Sequence, residues 1–215
     1  MDNIIHSIAL NAIPFLLAIT LHEAAHGYAA RIFGDRTAEM LGRISANPIR
    51  HIDWVGTVAL PLILTITKSP LLFGWAKPVP VNLNNLHNPK RDMIWVAAAG
   101  PLANLLMGIA WALALRFSGP ETAIGQIAGR GIYWNLMLMT FNLLPILPLD
   151  GGRIVAGLLP GPLSYKFSRL EPYGFFIVLG LMVLMPEALF FVLGPMQDAA
   201  LAIFKAIVGV RVSNV

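Results

Sequence analysis

The sequence predicts an all-α polytopic membrane protein, with about five transmembrane helices, one re-entrant segment and a small β-hairpin or sheet element. Three observations predict it. Hydrophobic residues make up 57% of the 215 residues and charged ones 12%, against roughly 25% charged in ordinary soluble domains, and the mean hydropathy is +0.70. The apolar residues gather in segments at 4–30, 54–67, 94–117, 132–149, 175–185 and 188–210. The fifteen Lys and Arg lie mostly between those segments, with a marked bias to one side.

Taken in order, the segments differ in what they can do. A helix crossing the hydrocarbon needs about 20 residues, and the segments at 4–30, 94–117 and 132–149 reach or approach that length. Residues 54–67 are too few and contain Pro61, which suits a re-entrant stretch better than a crossing. Charge supports this choice. If 54–67 is re-entrant, residues 31–93 share one face, and thirteen basic residues lie there with Arg153, Lys166, Arg169, Lys205 and Arg211 included. Only Arg116 and Arg130 are left opposite, a bias expected of a cytoplasmic face. The predicted topology has an outside N-terminus, five crossings and a cytoplasmic C-terminus.

Pro186 divides 175–185 from 188–210, predicting a helical hairpin over about 173–210. Within the loop at 38–91, residues 38–47 and 75–82 are plausible strands. The second reads Trp75-Ala76-Lys77-Pro78-Val79-Pro80-Val81-Asn82, and its prolines confine it to a sheet edge or an extended strap. No repeat, low-complexity run or soluble domain interrupts the chain, so a single membrane domain over 1–215 is expected. Met1-Asp2-Asn3 lacks the basic start of a signal peptide, and the first segment is expected to be retained.

Composition also excludes functions. The net charge is +4 and the pI about 9.7, but no basic stripe or aromatic-interleaved motif of a nucleic-acid binder is present. With no cysteine, disulfides and thiolate ligands are excluded, and any metal must be held by nitrogen and oxygen.

Chemistry enters at His22-Glu23-Ala24-Ala25-His26, where the first apolar run ends. Histidines four apart on a helix share a face and can converge on one metal ion. Glu23 is then placed to deprotonate a water bound there. Ionisable groups in an apolar segment are costly and are functional by default. The plainer alternative is a pair of partly buried histidines bonded to carbonyls.

Asp150 supplies a third donor. It ends the 132–149 segment, after Pro145 and Pro148 and before Gly151-Gly152. Two histidines with one carboxylate are a common catalytic zinc set. Eighteen apolar-segment residues precede both His22 and Asp150, each a rise of about 27 Å, so both are expected at similar depth near the cytoplasmic boundary. An aspartate capping the next helix is the alternative.

Together, His22-Glu23-x-x-His26, Gly100-Pro101-x-x-Asn104 and Asn142-x-x-Pro145-x-x-Pro148-Leu149-Asp150-Gly151-Gly152 resemble the site-2 proteases, a family of intramembrane zinc metalloproteases. The resemblance covers roughly residues 15–155, the expected catalytic core (about 4–155). It implies one Zn2+ held by His22, His26 and Asp150, with Glu23 as general base. It implies that Asn142 contacts substrate backbone or stabilises the oxyanion. Asn104 is either a residue near the site or hydrogen-bond glue between helices. A membrane-associated β-hairpin in the family implies that Val79, Pro80, Val81 and Asn82 bind substrate by backbone pairing. The expected substrate is a transmembrane protein, cut within the bilayer, in the cell membrane of a prokaryote. There is no room for a PDZ or cystathionine-synthase-like domain, so a minimal form is expected, with regulation from a separate partner.

Other residues carry less. His6, His51 and His87 lack partners at ligand spacing, and Trp54, Trp75, Trp95 and Trp134 fall near segment ends, where aromatic belts form. Gln197 and Asp198 either gate substrate or pair with another helix. Two rival functions remain at this stage. One is a metal transporter using His22, His26 and Asp150, although the internal repeat common in transporters is missing. The other is a proteolytically inactive adaptor, against which Glu23 stands.

Overall fold

The computed structural model describes residues 2–59, 63, 66 and 76–209. Helix α1 spans Asp2–Ile32, about 46 Å at 1.5 Å per residue. It stops where Gly34 takes φ 108° and Asp35 Oδ1 accepts the Thr37 N–H (3.0 Å) and hydroxyl (2.5 Å). This Asx turn starts the single-turn helix α2, Thr37–Met40. Next come α3, Pro89–Ser118, α4, Ala123–Asn142, α5, Asp150–Leu158, and α6, Gly161–Ser168. Helices α7, Gly174–Leu184, and α8, Pro186–Val208, form the C-terminal pair.

Helices α1, α3 and α4 pack on one another, α5 lies against α3, and α8 leans on both α3 and α4. The core between α3, α4 and α8 consists of Ala112, Leu136, Met139, Ala200, Phe204 and Val208. Small residues let these helices approach closely, the packing rule of apolar media. The Phe204 ring fills the space over Gly108, where a side chain would collide with it.

Among the described residues, three helical stretches are long and apolar enough to cross a membrane: Pro89–Ser118, Gly161–Leu184 and Pro186–Val208. Five such crossings are therefore not found. The boundaries also move. The apolar run 132–149 is not one helix, because α4 begins nine residues earlier and ends at Asn142. Leu143–Leu149 is a tight turn with a cis bond between Leu147 and Pro148. Hydropathy carried the expected span across Pro145 and Pro148, although proline ends a helix. The expected re-entrant segment begins as a π-helical turn, Trp54–Ala59, and beyond it all but residues 63 and 66 lie outside the described residues.

No strand is present among the described residues, so the β-hairpin expectation needs correction. Residues 38–47 are α2 followed by turns, because Asp35 bends the chain before them and Gly42 takes φ 63° within them. Residues 76–82 are extended without a ladder. Pro78 and Pro80 remove the amide donors from one edge of this strap. Trp75 lies outside the described residues.

Candidate metal centre

Helix α1 sets His22 and His26 one turn apart on one face, with Nε2 atoms 3.0 Å apart. The turn after α4 brings Asp150 to them as the first residue of α5. Asp150 Oδ2 lies 3.2 Å from His22 Nε2, and Oδ1 lies 3.4 Å from His26 Nε2. His22 and Asp150 are both buried. Gly151 and Gly152 make this approach possible, since a Cβ on either would strike the backbone of the 143–147 turn. Gly100 does the same from α3, where a Cβ would collide with both imidazoles.

The other nitrogen of each ring is already committed. His22 Nδ1 lies 2.5 Å from Asn104 Oδ1, and His26 Nδ1 lies 2.7 Å from the Val96 carbonyl. Both partners are acceptors, so both Nδ1 atoms donate. A neutral imidazole then presents a lone pair at Nε2. In that neutral form two lone pairs face each other beside a carboxylate, with Asp150 Oδ2 buried and lacking a hydrogen-bond partner among the described residues. A cation relieves that repulsion.

The spacing fits zinc. A tetrahedral site with bonds of about 2.0–2.1 Å places its ligand atoms about 3.3 Å apart. Here the three separations run from 3.0 to 3.4 Å. These residues are a group that could hold a metal ion.

Around the three donors lies a cavity of about 410 Å³. Glu23, Val79, Pro80, Val81, Asn142 and Arg153 are among its lining residues. Glu23 Oε2 accepts the Val79 N–H at 2.8 Å, so the expected base is tied to the strap.

Other anchors hold that strap in place. The Lys77 N–H reaches the His51 carbonyl at 2.9 Å, the Arg43 guanidinium donates to the Lys77 carbonyl at 2.6 Å, and the Asn82 N–H reaches Asp35 Oδ2 at 2.7 Å. Burial raises the Asp35 carboxyl, but hydrogen bonds from Thr37, Asn85 and Asn82 outweigh it and hold the group below its usual range. Among the described residues nothing bonds the Val81 amide, which leaves it available to the cavity.

The expected substrate residues therefore divide. Val79, Pro80 and Val81 line the cavity, although the Val79 donor is occupied by Glu23. Asn82 is exposed, absent from the lining and spent on Asp35. Asn142 is in the wall, with one amide hydrogen given to the Leu138 carbonyl at 2.9 Å and the other without a partner among the described residues. Asn104 is fully buried behind His22 and is not among the residues lining the cavity. It bonds helices together and orients a histidine. Gln197 reaches Met137 and Thr140 of α4, the helix-pairing reading, while Asp198 is exposed.

Several residues make contacts that the sequence reading did not assign to them. Arg153 lines the cavity and holds the Pro148 carbonyl at 3.3 Å and Glu171 at 3.3 Å. His51 is buried, with its Nε2 2.9 Å from the Ser45 carbonyl. Trp134 bonds Asn11 and stacks on Phe15, tying α4 to α1. Asn135 is fully buried beside Asn104. An asparagine within an apolar segment was the available signal for the last of these.

The chain is 38% identical over 208 residues to the Bacillus subtilis protein named "Putative zinc metalloprotease YwhC", covering 91% of this chain and 90% of that one. It is 28% identical over 172 residues to "Putative zinc metalloprotease Rip2" of Mycolicibacterium smegmatis, covering 79% of this chain and 64% of the relative. "Zinc metalloprotease MJ0392" of Methanocaldococcus jannaschii is 25% identical over 163 residues, which are 74% of this chain and 37% of that protein. No protein-family model and no solved structure matches the chain. Extensive likeness to the first relative, together with a two-histidine, one-carboxylate centre of zinc dimensions, places the chain in the site-2 protease family of zinc metalloproteases.

Proposed function

We propose that this chain is an intramembrane endopeptidase that hydrolyses peptide bonds in the transmembrane segments of other membrane proteins. The observation that carries the proposal is the convergence of His22, His26 and Asp150 at 3.0–3.4 Å on a cavity that also contains Glu23. His22, His26 and Asp150 hold the zinc, which supplies Lewis-acid activation of water and of the scissile carbonyl when bound.

Glu23 is the general base. Its Oε2 is pinned by the Val79 N–H, which leaves Oε1 to take a proton from the attacking water. As the oxygen adds to the carbonyl carbon and the C–N bond breaks, Glu23 passes that proton to the leaving amine. The free amide hydrogen of Asn142 serves the substrate carbonyl or its developing negative charge.

A substrate segment in a continuous helix has its carbonyls engaged, so it must unwind to react. The Val81 N–H and the carbonyls beside it offer an edge on which an unwound stretch can pair. The same reading places the N-terminus outside, the centre near the cytoplasmic face of a prokaryotic cell membrane, and a separate protein in charge of regulation. A transport site would give Glu23 no task, and the relatives are named metalloproteases.

Ligand substitution tests the centre. His22→Ala and Asp150→Ala should each abolish both stoichiometric zinc in the purified protein and cleavage of a transmembrane peptide. Full zinc in Asp150→Ala would remove the carboxylate from the ligand set.

A further inference from the structure

We infer that Asn135 is a positioning residue for the metal centre, setting from two helices away which nitrogen of His22 carries the hydrogen. The inference rests on His22 being a zinc ligand, and it concerns how that ligand is kept in its binding tautomer. His22 Nδ1 can donate only if Asn104 turns its oxygen toward it. An Asn104 amide flipped by half a turn would present Nδ2 instead. Nδ1 would then have to accept, the ring hydrogen would move to Nε2, and the lone pair needed by the metal would be lost.

The far side of Asn104 decides the matter. Its Nδ2 donates to Asn135 Oδ1 at 2.9 Å and to the Ala18 carbonyl at 3.2 Å. Asn135 faces the same choice of orientation, and its Nδ2 donates to the Gly131 carbonyl one turn back at 2.8 Å. A backbone carbonyl has no alternative role. Polarity therefore runs from Gly131 through Asn135 and Asn104 to His22. Asn104 and Asn135 are both 0% exposed, so bulk solvent does not reach them. An unpaired amide hydrogen at this depth is costly, which is why each orientation constrains the next.

Two variants of the full chain test the relay. Asn135→Leu keeps approximate size and removes the acceptor facing Asn104. Asn135→Thr restores polarity, because its hydroxyl can donate to the Gly131 carbonyl, as Thr140 does to Leu136 in the same helix, and still accept from Asn104. Zinc affinity is measured by competition with a chelator, and the histidine tautomers of the zinc-free protein by nitrogen-15 NMR. Asn135→Leu should bind zinc about tenfold more weakly, the lower end for loss of an outer partner. It should also show a mixed His22 tautomer, and Asn135→Thr should recover both. Wild-type affinity and tautomer in Asn135→Leu would overturn the inference. Equal loss in both variants would also overturn it, since bulk packing alone would then explain the effect. Unchanged zinc affinity in His22→Ala is a separate result and refutes the ligand assignment beneath it.

Discussion

Replacing Gly100 by alanine puts a methyl group into the two imidazoles. The added Cβ would lie 2.5 Å from His26 Cε1 and 2.6 Å from His22 Cε1, where ordinary contact is 3.4–4 Å. Both rings, or the α3 backbone, must therefore move by about 0.8–0.9 Å, several times the roughly 0.2 Å tolerance of metal–ligand distances. Neither ring is free to turn, because Asn104 and Val96 hold the far nitrogens. Overpacking of this kind costs about 1–3 kcal/mol. The displaced ligands should cost zinc affinity near the top of the roughly 10–100-fold range seen when a site's supporting groups are disturbed. Chelator competition reads the affinity, and thermal unfolding of the zinc-free protein reads the packing cost. Gly129→Ala is the control, since nothing lies within 4 Å of its Cβ, and the helix should gain up to about 1 kcal/mol. If Gly100→Ala binds zinc like the wild type, the close approach of α3 does not hold the histidines, and the geometric account of the centre fails.

Three further outcomes follow from the same geometry. Val81→Pro removes an amide that has no partner among the described residues and should slow cleavage while leaving zinc content unchanged; equal cleavage rates would exclude backbone pairing there. The Asp35 carboxyl is held below its usual range, so its charge stabilises the fold fully above about pH 4, the unfolded value, and that stability is lost as pH falls through the lower folded value. Asp35→Asn should therefore unfold at a lower temperature than the wild type at pH 7, with the gap closing below about pH 4; a gap independent of pH would refute the charge argument. Finally, cysteines introduced singly at Lys90 and Ser118, at opposite ends of α3 in a chain with none of its own, should differ in labelling by an impermeant outside reagent, with only position 118 reacting.

The donors of the centre were legible because their chemistry is local. His22 and His26 need only a helix to converge, and Asp150 needs only a turn that Pro145, Pro148, Gly151 and Gly152 mark in advance. Hydropathy placed α1, α3 and the C-terminal pair well, since their apolar runs coincide with helices. It failed at 132–149, where apolar residues continue through a turn that buries them. The strand at 38–47 failed for another reason: an Asx turn at Asp35 and a left-handed Gly42 outweigh alternation in so short a stretch. What no local pattern could reveal is long-range pairing. Asn104 meets His22, and Val79 meets Glu23, only once α1, α3 and the strap are packed.

The central claim is that Glu23 is the base of a zinc peptidase whose metal is held by other residues. The most direct test is Glu23→Gln in the purified full chain, with bound zinc and cleavage of a transmembrane peptide measured on the same sample. Glutamine keeps the size of the side chain and removes its capacity to take the proton. The account predicts near-stoichiometric zinc with cleavage abolished. Cleavage at the wild-type rate, or loss of zinc together with activity, would contradict it.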